Sequence, residues 1–573
     1  MIAMNIAIRT STGWPFLRSS FVLITLACFG HLPQMQAALP PEIPGNPDGC
    51  YPAFTTAEGC NALSLLGSGI GNTAVGWYSL FLVGDASFNT GVGAGALALT
   101  TTGADQNTAV GTAAMLLNTS GTQNVAIGTD ALLFNDNGAY NNAVGAFALF
   151  NNISGFSNNA FGNSALFTNI NGFENTAIGD FALANNDNTG LGLANFNTAV
   201  GASALFFNTD GDSNTAVGFS ALSSNTTGFW NTANGTDALL HNDSGSYNDA
   251  VGVRALRNNI DGSDNNAFGH AALSKNIHAQ ANTAIGDLAL ANNDITGNNL
   301  ASFNTGVGAA ALNGNTDGVA NTAVGAGALT SNDTGSVNTA VGVGALNSNT
   351  DGERNTAVGF DALLNLAMGI NNIALGVGAG NSITGGSFNI YIGNLGVGPI
   401  EAVTIRIGDP TIHKSTYIAG ISGATASGGM AVYVNPDGKL GTSPSSKRFK
   451  EDIQPMDKAS EAVFALKPVT FRYKKELDPK SIPQFGLIAE EVEKVDPDLV
   501  VRDKEGKPYA VRYEQINAML LNEFLKEHRT VQEQQKEIDT LMNELKEQKV
   551  LIQKVSAQVE MSNPARQVVI SNQ

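Results

Sequence analysis

The sequence predicts a mainly β protein: a repetitive β-solenoid (β-roll) rod, followed by a small α/β domain and a coiled coil. Three observations lead there. The unit Asn-Thr-Ala-Val-Gly, two variable residues, Ala-Leu and a polar stretch holding a Gly recurs from Asn72 to Asn389. Its opening Asn returns every 17 residues nearly throughout, after 18 once (Asn89 to Asn107) and after 22 twice (Asn175 to Asn197, Asn282 to Asn304). A fixed period of this size marks stacked repeats. Glycine is abundant (65 residues) and charge is low (14%), which suits tight turns between short strands. Finally, Phe524, Val531, Ile538, Leu545, Ile552 and Val559 recur every seven residues, the spacing of a coiled-coil seam.

Residues 1–38 read as an export signal: Arg9 and Arg18 precede the apolar run Phe21–Phe29, and Ala37 and Ala38 offer a cleavage site. The run is far shorter than the ~20 residues of a membrane span, so no span is expected in the mature chain. Thr25-Leu26-Ala27 before Cys28 matches a lipobox poorly, and a secreted or cell-surface protein is the expectation. Residues 39–54, with Pro40, Pro41, Pro44, Pro47 and Pro52, form a stiff linker. Cys50 and Cys60 are the cysteines left after cleavage. In an exported protein they are candidates for a disulfide that staples the first coil; two free thiols are the alternative.

The rod is expected over residues 55–393. Thr55-Thr-Ala-Glu-Gly59, with Ala62-Leu63, stands one period before Asn72 and reads as a degenerate capping unit. Each Asn-Thr-Ala-Val-Gly reads as a short strand, with Asn, Ala and Gly on one face and Thr and Val on the other. The polar stretches, such as Asn118-Thr-Ser-Gly121, are turn chemistry. About twenty coils at ~4.8 Å each give a length of roughly 95 Å, along which the opening Asn side chains are expected to form one hydrogen-bonded ladder. One Val and one Leu per coil make a thin core, so packing against further copies is expected. The near-identical inserts Ala184-Asn-Asn-Asp-Asn-Thr-Gly190 and Ala291-Asn-Asn-Asp-Ile-Thr-Gly297 show that a block of coils was itself duplicated. The repeats resemble the β-roll heads of YadA-type trimeric autotransporter adhesins, which repeat a similar short strand. That resemblance implies a trimeric, adhesin-like surface fibre.

Residues 394–444 lose the period and read as a β-structured neck, with strands at Thr404–Gly408, Ser415–Gly420 and Met430–Val434 and a turn at Asn435-Pro-Asp-Gly438. Residues 445–515 form the small α/β domain, 516–561 the terminal helix and 562–573 a tail. In the helix, Glu527, Gln534 and Gln548 would be polar layers on the seam. A homotrimer is preferred, because rod and helix both ask for an oligomer.

The net charge of −19 argues against a nucleic-acid partner, whose phosphates need a basic surface. Charge is also segregated: of 30 Lys and Arg, 21 lie from Lys447 onward. The six His are scattered without metal-ligand spacing, and no Gly-rich stretch carries the Lys-Ser/Thr of a phosphate loop. Neither metal nor cofactor is expected.

The chemistry-bearing stretch is Ser445-Ser-Lys-Arg-Phe-Lys450. A Ser hydroxyl becomes a nucleophile when a base takes its proton, and a Lys serves once desolvation or nearby positive charge lowers its pKa; Lys447 and Arg448 supply charge. By spacing alone, a polar basic hinge is the simpler reading. With Leu466-Lys-Pro-Val-Thr-Phe-Arg-Tyr473 and Phe485-Gly-Leu-Ile-Ala-Glu-Glu-Val492 following in order, the region resembles the peptidase S74 family, the intramolecular chaperones at the ends of phage tailspikes and tail fibres. The resemblance implies trimerisation, assistance to the preceding fibre, and a single-turnover serine endopeptidase reaction in cis. It places the nucleophile at Ser445, its partner at Lys450 and the scissile bond at Pro444–Ser445. Where many relatives carry Asp, this chain has Ser446, which stays open as the alternative nucleophile. The expected function is an exported homotrimeric adhesin-like fibre that contacts a surface glycan or host-cell ligand. A phage-derived tail fibre, or an ice- or polysaccharide-binding solenoid without self-cleavage, is the alternative.

Overall fold

The structure, a computed structural model, describes residues 54–101, 103–421 and 423–562. The export signal, most of the Pro-rich linker, Cys50 and residues 563–573 lie outside the described residues. The chain divides into one unit up to Thr416 and another from Tyr417.

The first unit is a parallel β-solenoid. Among the described residues, 21 three-residue strands, numbered β1 (Thr56–Glu58) to β21 (Ile405–Ile407), pair each with the next. The coil Asn124–Tyr140 shows how the sequence dictates this. Val125–Ile127 pairs in register with Thr108–Val110 before it and Asn142–Val144 after it. Alternation buries Ala126 and turns Val125 and Ile127 outward, Ile127 remaining 42% exposed. Gly128 follows at φ 142°, and a Cβ there would lie 2.4 Å from the Gly145 carbonyl of the next coil; glycine is required. Asp130 and Leu132 then take left-handed φ values of 54° and 52°. The zigzag sends Asp130 N–H to Thr112 O one coil back (3.0 Å) and Leu132 N–H to Ala148 O one coil on (2.8 Å). It also buries Ala131 and Leu132 completely. A left-handed Leu costs about 1–2 kcal/mol, and burial of its side chain returns roughly 1.5–3 kcal/mol.

The core therefore differs from the expectation. Val does not fill it. Most coils contribute the strand Ala, the second Ala and the Leu (Ala126, Ala131 and Leu132 here). The reason is that Asn, Ala and Gly share one strand face, and the opening Asn must lie inside to meet its partners. The β-branched residues are left outside.

The interior also holds two polar ladders where one was expected. In the first, Asn141 Nδ2 donates to Asn124 Oδ1 (3.1 Å), which also accepts the Asn141 backbone N–H (2.9 Å). In the second, Asn152 Nδ2 donates to Asn135 Oδ1 (2.8 Å) and Asn169 Nδ2 to Asn152 Oδ1 (2.9 Å). The ladders share an acceptor: Gly155 O takes Asn141 Nδ2 and Asn152 Nδ2, both at 2.8 Å. Polar groups buried this completely have to be paired, and these pair with their own copies in neighbouring coils.

The 22-residue coils do not disturb the strands, since Thr176 still pairs with Thr198 and Thr283 with Thr305. The extra residues bulge in the turn, anchored by a buried carboxylate. Asp187 accepts the Asn171 and Gly192 N–H groups (2.7 and 2.8 Å), and Asp294 those of His278, Ala279 and Asn299 (2.7, 3.0 and 2.9 Å).

The ladder continues past residue 393, because Ile390–Ile392 pairs with Ile405–Ile407 and Gly385 bridges Ile400. Ser415–Gly420, expected as a strand, forms none; no neighbouring segment offers it a ladder. The Asn435–Gly438 turn does join a short hairpin, Tyr433–Val434 with Leu440–Gly441.

The second unit adds the antiparallel pairs Val469–Phe471 with Gln484–Gly486 and Val500–Arg502 with Pro508–Val511. It also contains a short helix, Ala489–Val495, and a terminal helix, Tyr513–Ser562. Its small core gathers Val492, Leu499, Val500, Ile516 and Met519. Along the terminal helix the heptad residues Phe524, Val531, Ile538, Leu545, Ile552 and Val559 are all exposed.

Candidate functional site

The site is built by one turn of 3-10 helix, Lys447–Phe449. Phe449 N–H bonds to Ser446 O (3.0 Å) and Lys450 N–H to Lys447 O (3.1 Å). The tight turn brings the residue five positions on back toward Ser445, and Lys450 Nζ donates to Ser445 Oγ at 3.3 Å. The Arg448 guanidinium lies over the Phe449 ring, 4.6 Å from its centroid, a cation–π contact within the same turn. Ser446 sits at the start of the turn without capping it through its side chain. Pro444, Ser445, Ser446 and Lys450 are all exposed.

A second polar cluster went unnoticed in the sequence. Ser460, fully buried, lies on the 3-10 helix Asp457–Ala465, and its hydroxyl donates to Glu523 Oε1. It accepts from Asn522 Nδ2 (2.7 Å) and Lys526 Nζ (3.2 Å), while Lys526 also donates to Asp457 O (2.7 Å). Bonds from Lys526 and Ser460 hold the Glu523 carboxyl below its ordinary pKa. The cluster pins this segment to the start of the terminal helix. Asn522, Glu523 and Lys526 share one helix face by spacing, but a partner more than sixty residues away leaves no local signal.

Residues 445–501 match the family Peptidase S74, described as chaperone of endosialidase. The matched segment thus opens at Ser445 itself and runs through the antiparallel pair Val469–Phe471 with Gln484–Gly486 and the short helix, ending before the terminal helix. No curated protein and no solved structure matches the chain. A β-solenoid followed by an S74 segment fits a tail-fibre-like structural protein.

Of the other candidates, Cys60 lies partly exposed in the first coil, and its pairing with Cys50 lies outside the described residues. Among the described residues, no group of three or more His, Cys, Asp and Glu is placed to hold a metal ion. No helix there is long and apolar enough to cross a membrane.

Proposed function

We propose that this chain is an exported, homotrimeric, adhesin-like fibre whose S74 segment promotes trimer folding and then cuts the chain at Pro444–Ser445. One observation carries the reading: the family match begins at the same Ser445 whose hydroxyl Lys450 reaches, in a chain whose preceding unit is a β-solenoid. In the reaction, neutral Lys450 Nζ takes the Ser445 hydroxyl proton as Oγ attacks the Pro444 carbonyl carbon. The C–N bond breaks, the proton passes to the Ser445 nitrogen, and an ester joins Pro444 to Oγ. Water then hydrolyses that ester to the Pro444 carboxylate and a free Ser445 hydroxyl.

In a single chain Lys450 donates to Ser445, the reverse of what a base must do, and both groups face solvent. A lysine becomes a base on desolvation. Closure of neighbouring copies over the pair supplies that, so cleavage follows assembly. Wild-type chain on denaturing gels is expected to run as two fragments that part before Ser445. Ser445→Ala and Lys450→Arg leave one intact band, because a guanidinium does not give up its proton, whereas Ser446→Ala still cleaves. An intact wild-type band removes the protease reading. The adhesin-like role rests on the YadA-like repeats, with a surface glycan or host-cell ligand as partner. The S74 segment equally favours a phage-derived tail fibre; cell fractionation separates the two, since only the first reaches the outer surface.

A further inference from the structure

We infer that the outward face of the strand ladder is the seam along which copies of this rod pack, parallel and in register. The inference rests on the oligomeric fibre proposed above and assigns it a surface. Along the solenoid, the first and third residues of every strand point away from the core. The first is most often Thr and the third Val, Ile or Phe. Nothing in the rod covers them: Ile127, Phe161, Ile178, Phe268 and Ile285 stand 42–44% exposed, even though each has a like residue above and below it.

Charge marks this face off from the rest. Of all charged residues between Asn72 and Gly393, only Asp249 occupies an outward strand position. The others lie after the strands, as do Asp130, Asp237, Arg254 and Lys275, or in the turns, as do Asp136, Asp243, Asp333 and Asp351. In a chain of net charge −19, a ribbon whose outward strand positions carry charge only at Glu58 and Asp249 is where like chains approach with least repulsion. Both five-residue inserts bulge from the turns and leave this face unbroken. At ~4.8 Å per coil and ~3.3 Å per strand residue, the ribbon is about 95 Å by 10 Å. That gives on the order of 900 Å² per copy, against about 800 Å² per partner in a stable complex. A partner that fits every coil needs the same pitch, and a second copy of this chain has it. A flat Thr lattice would also suit ordered water, but Phe161, Phe268 and Asn234 break its flatness.

The test uses the full chain with Cys28, Cys50 and Cys60 changed to Ser. Val217→Cys and Val324→Cys place a thiol on the strand face of two distant coils; Thr227→Cys places one on a turn. Mild oxidation is expected to join copies through Val217→Cys or Val324→Cys, with little joining through Thr227→Cys. In mixed assemblies the two strand-face variants should not join each other, because a register shift would be needed. Light scattering runs alongside. Multimers that join through the turn and not through the strand face overturn the seam and leave the oligomeric reading standing. A monomeric chain overturns both. Thermal hysteresis by the intact protein would show the face bare to water, and it too overturns the seam.

Discussion

Gly155 shows what one residue decides in this fold. Its carbonyl accepts an amide from each Asn ladder, and a Cβ would stand 2.4 Å from both Asn152 Oδ1 and Gly172 O. Gly155→Ala is therefore expected to push the ladders apart at the cost of about 3 kcal/mol, from overpacking and strained buried hydrogen bonds. In a stacked array each coil touches only its neighbours, so the loss is local. Amide exchange should quicken in the coils around Asn141–Asn175, while the exposed control Thr227→Ala leaves the pattern unchanged; uniform exchange in Gly155→Ala would contradict this. At this scale the sequence is only half legible. The opening Asn declares itself by repetition. The second Asn, at Asn118, Asn135 and Asn152, recurs from Asn118 to Asn349 and gives way to Val83, Thr100, Leu366 and Ile383 toward the ends; it sits among Ser, Thr, Asp and Gly and reads as turn chemistry. That it points inward depends on the left-handed Leu before it, which no local preference of Leu suggests. The Ser445–Lys450 spacing is legible for the opposite reason, since both residues belong to one short turn.

Among the elements, the end of the rod is the most instructive. The strand Ile390–Ile392 carries Tyr391 where most coils have Ala, and the coil before it carries Gly380 where most have Leu. The ring occupies the room the Leu gives up: a Cβ on Gly380 would meet it at 2.9 Å. Tyr391 O–H donates to Glu401 Oε2 (2.9 Å), and Arg406 Nε donates to Glu401 Oε1 (2.8 Å). Burial pushes the phenol pKa upward, and the bond to Glu401 pushes it the same way. For Glu401, burial works upward, but the bonds from Arg406, Tyr391 and the Val397 amide outweigh it and hold the carboxyl below its ordinary value. A depressed carboxylate stabilises fully above the unfolded glutamate value and loses that contribution as pH falls through its folded value. Exchange over residues 389–407 should thus quicken on acidification below about pH 4, ahead of the central coils. Tyr391→Phe should weaken the same segment by about 1 kcal/mol at neutral pH. Exchange that quickens evenly along the rod would argue against a polar cap. The sequence shows these three residues as departures from the repeat, but their meeting requires the turn that brings residue 401 back over 391.

For the whole molecule, interchangeability of coils is the governing property. Thr198–Val200 pairs with Thr215–Val217, which pairs with Thr232–Asn234, all in one register. Deletion of residues 214–230 removes one period and should join the flanking coils without a seam. The expected product keeps its β-signal and its number of copies, with a rod shorter by about 4.8 Å. Deletion of residues 214–222 alone shifts every later side chain relative to its ladder and should abolish folding beyond that point. Circular dichroism and small-angle scattering read both outcomes; equal tolerance of the two deletions would mean that register does not hold the rod together.

The sequence by itself determined the period, the parallel stacking and the change from rod to S74 segment. Repetition and ordered motifs survive in one dimension, and identical units that bond to their own copies can only stack in step. Which side of each strand is the inside was decided by the tertiary structure alone. Alternation offers two faces, and Val is the more apolar candidate. The inside went to Asn, Ala and Leu, because that choice lets the buried amides bond from coil to coil, as Asn141 does with Asn124 and Asn152 with Asn135.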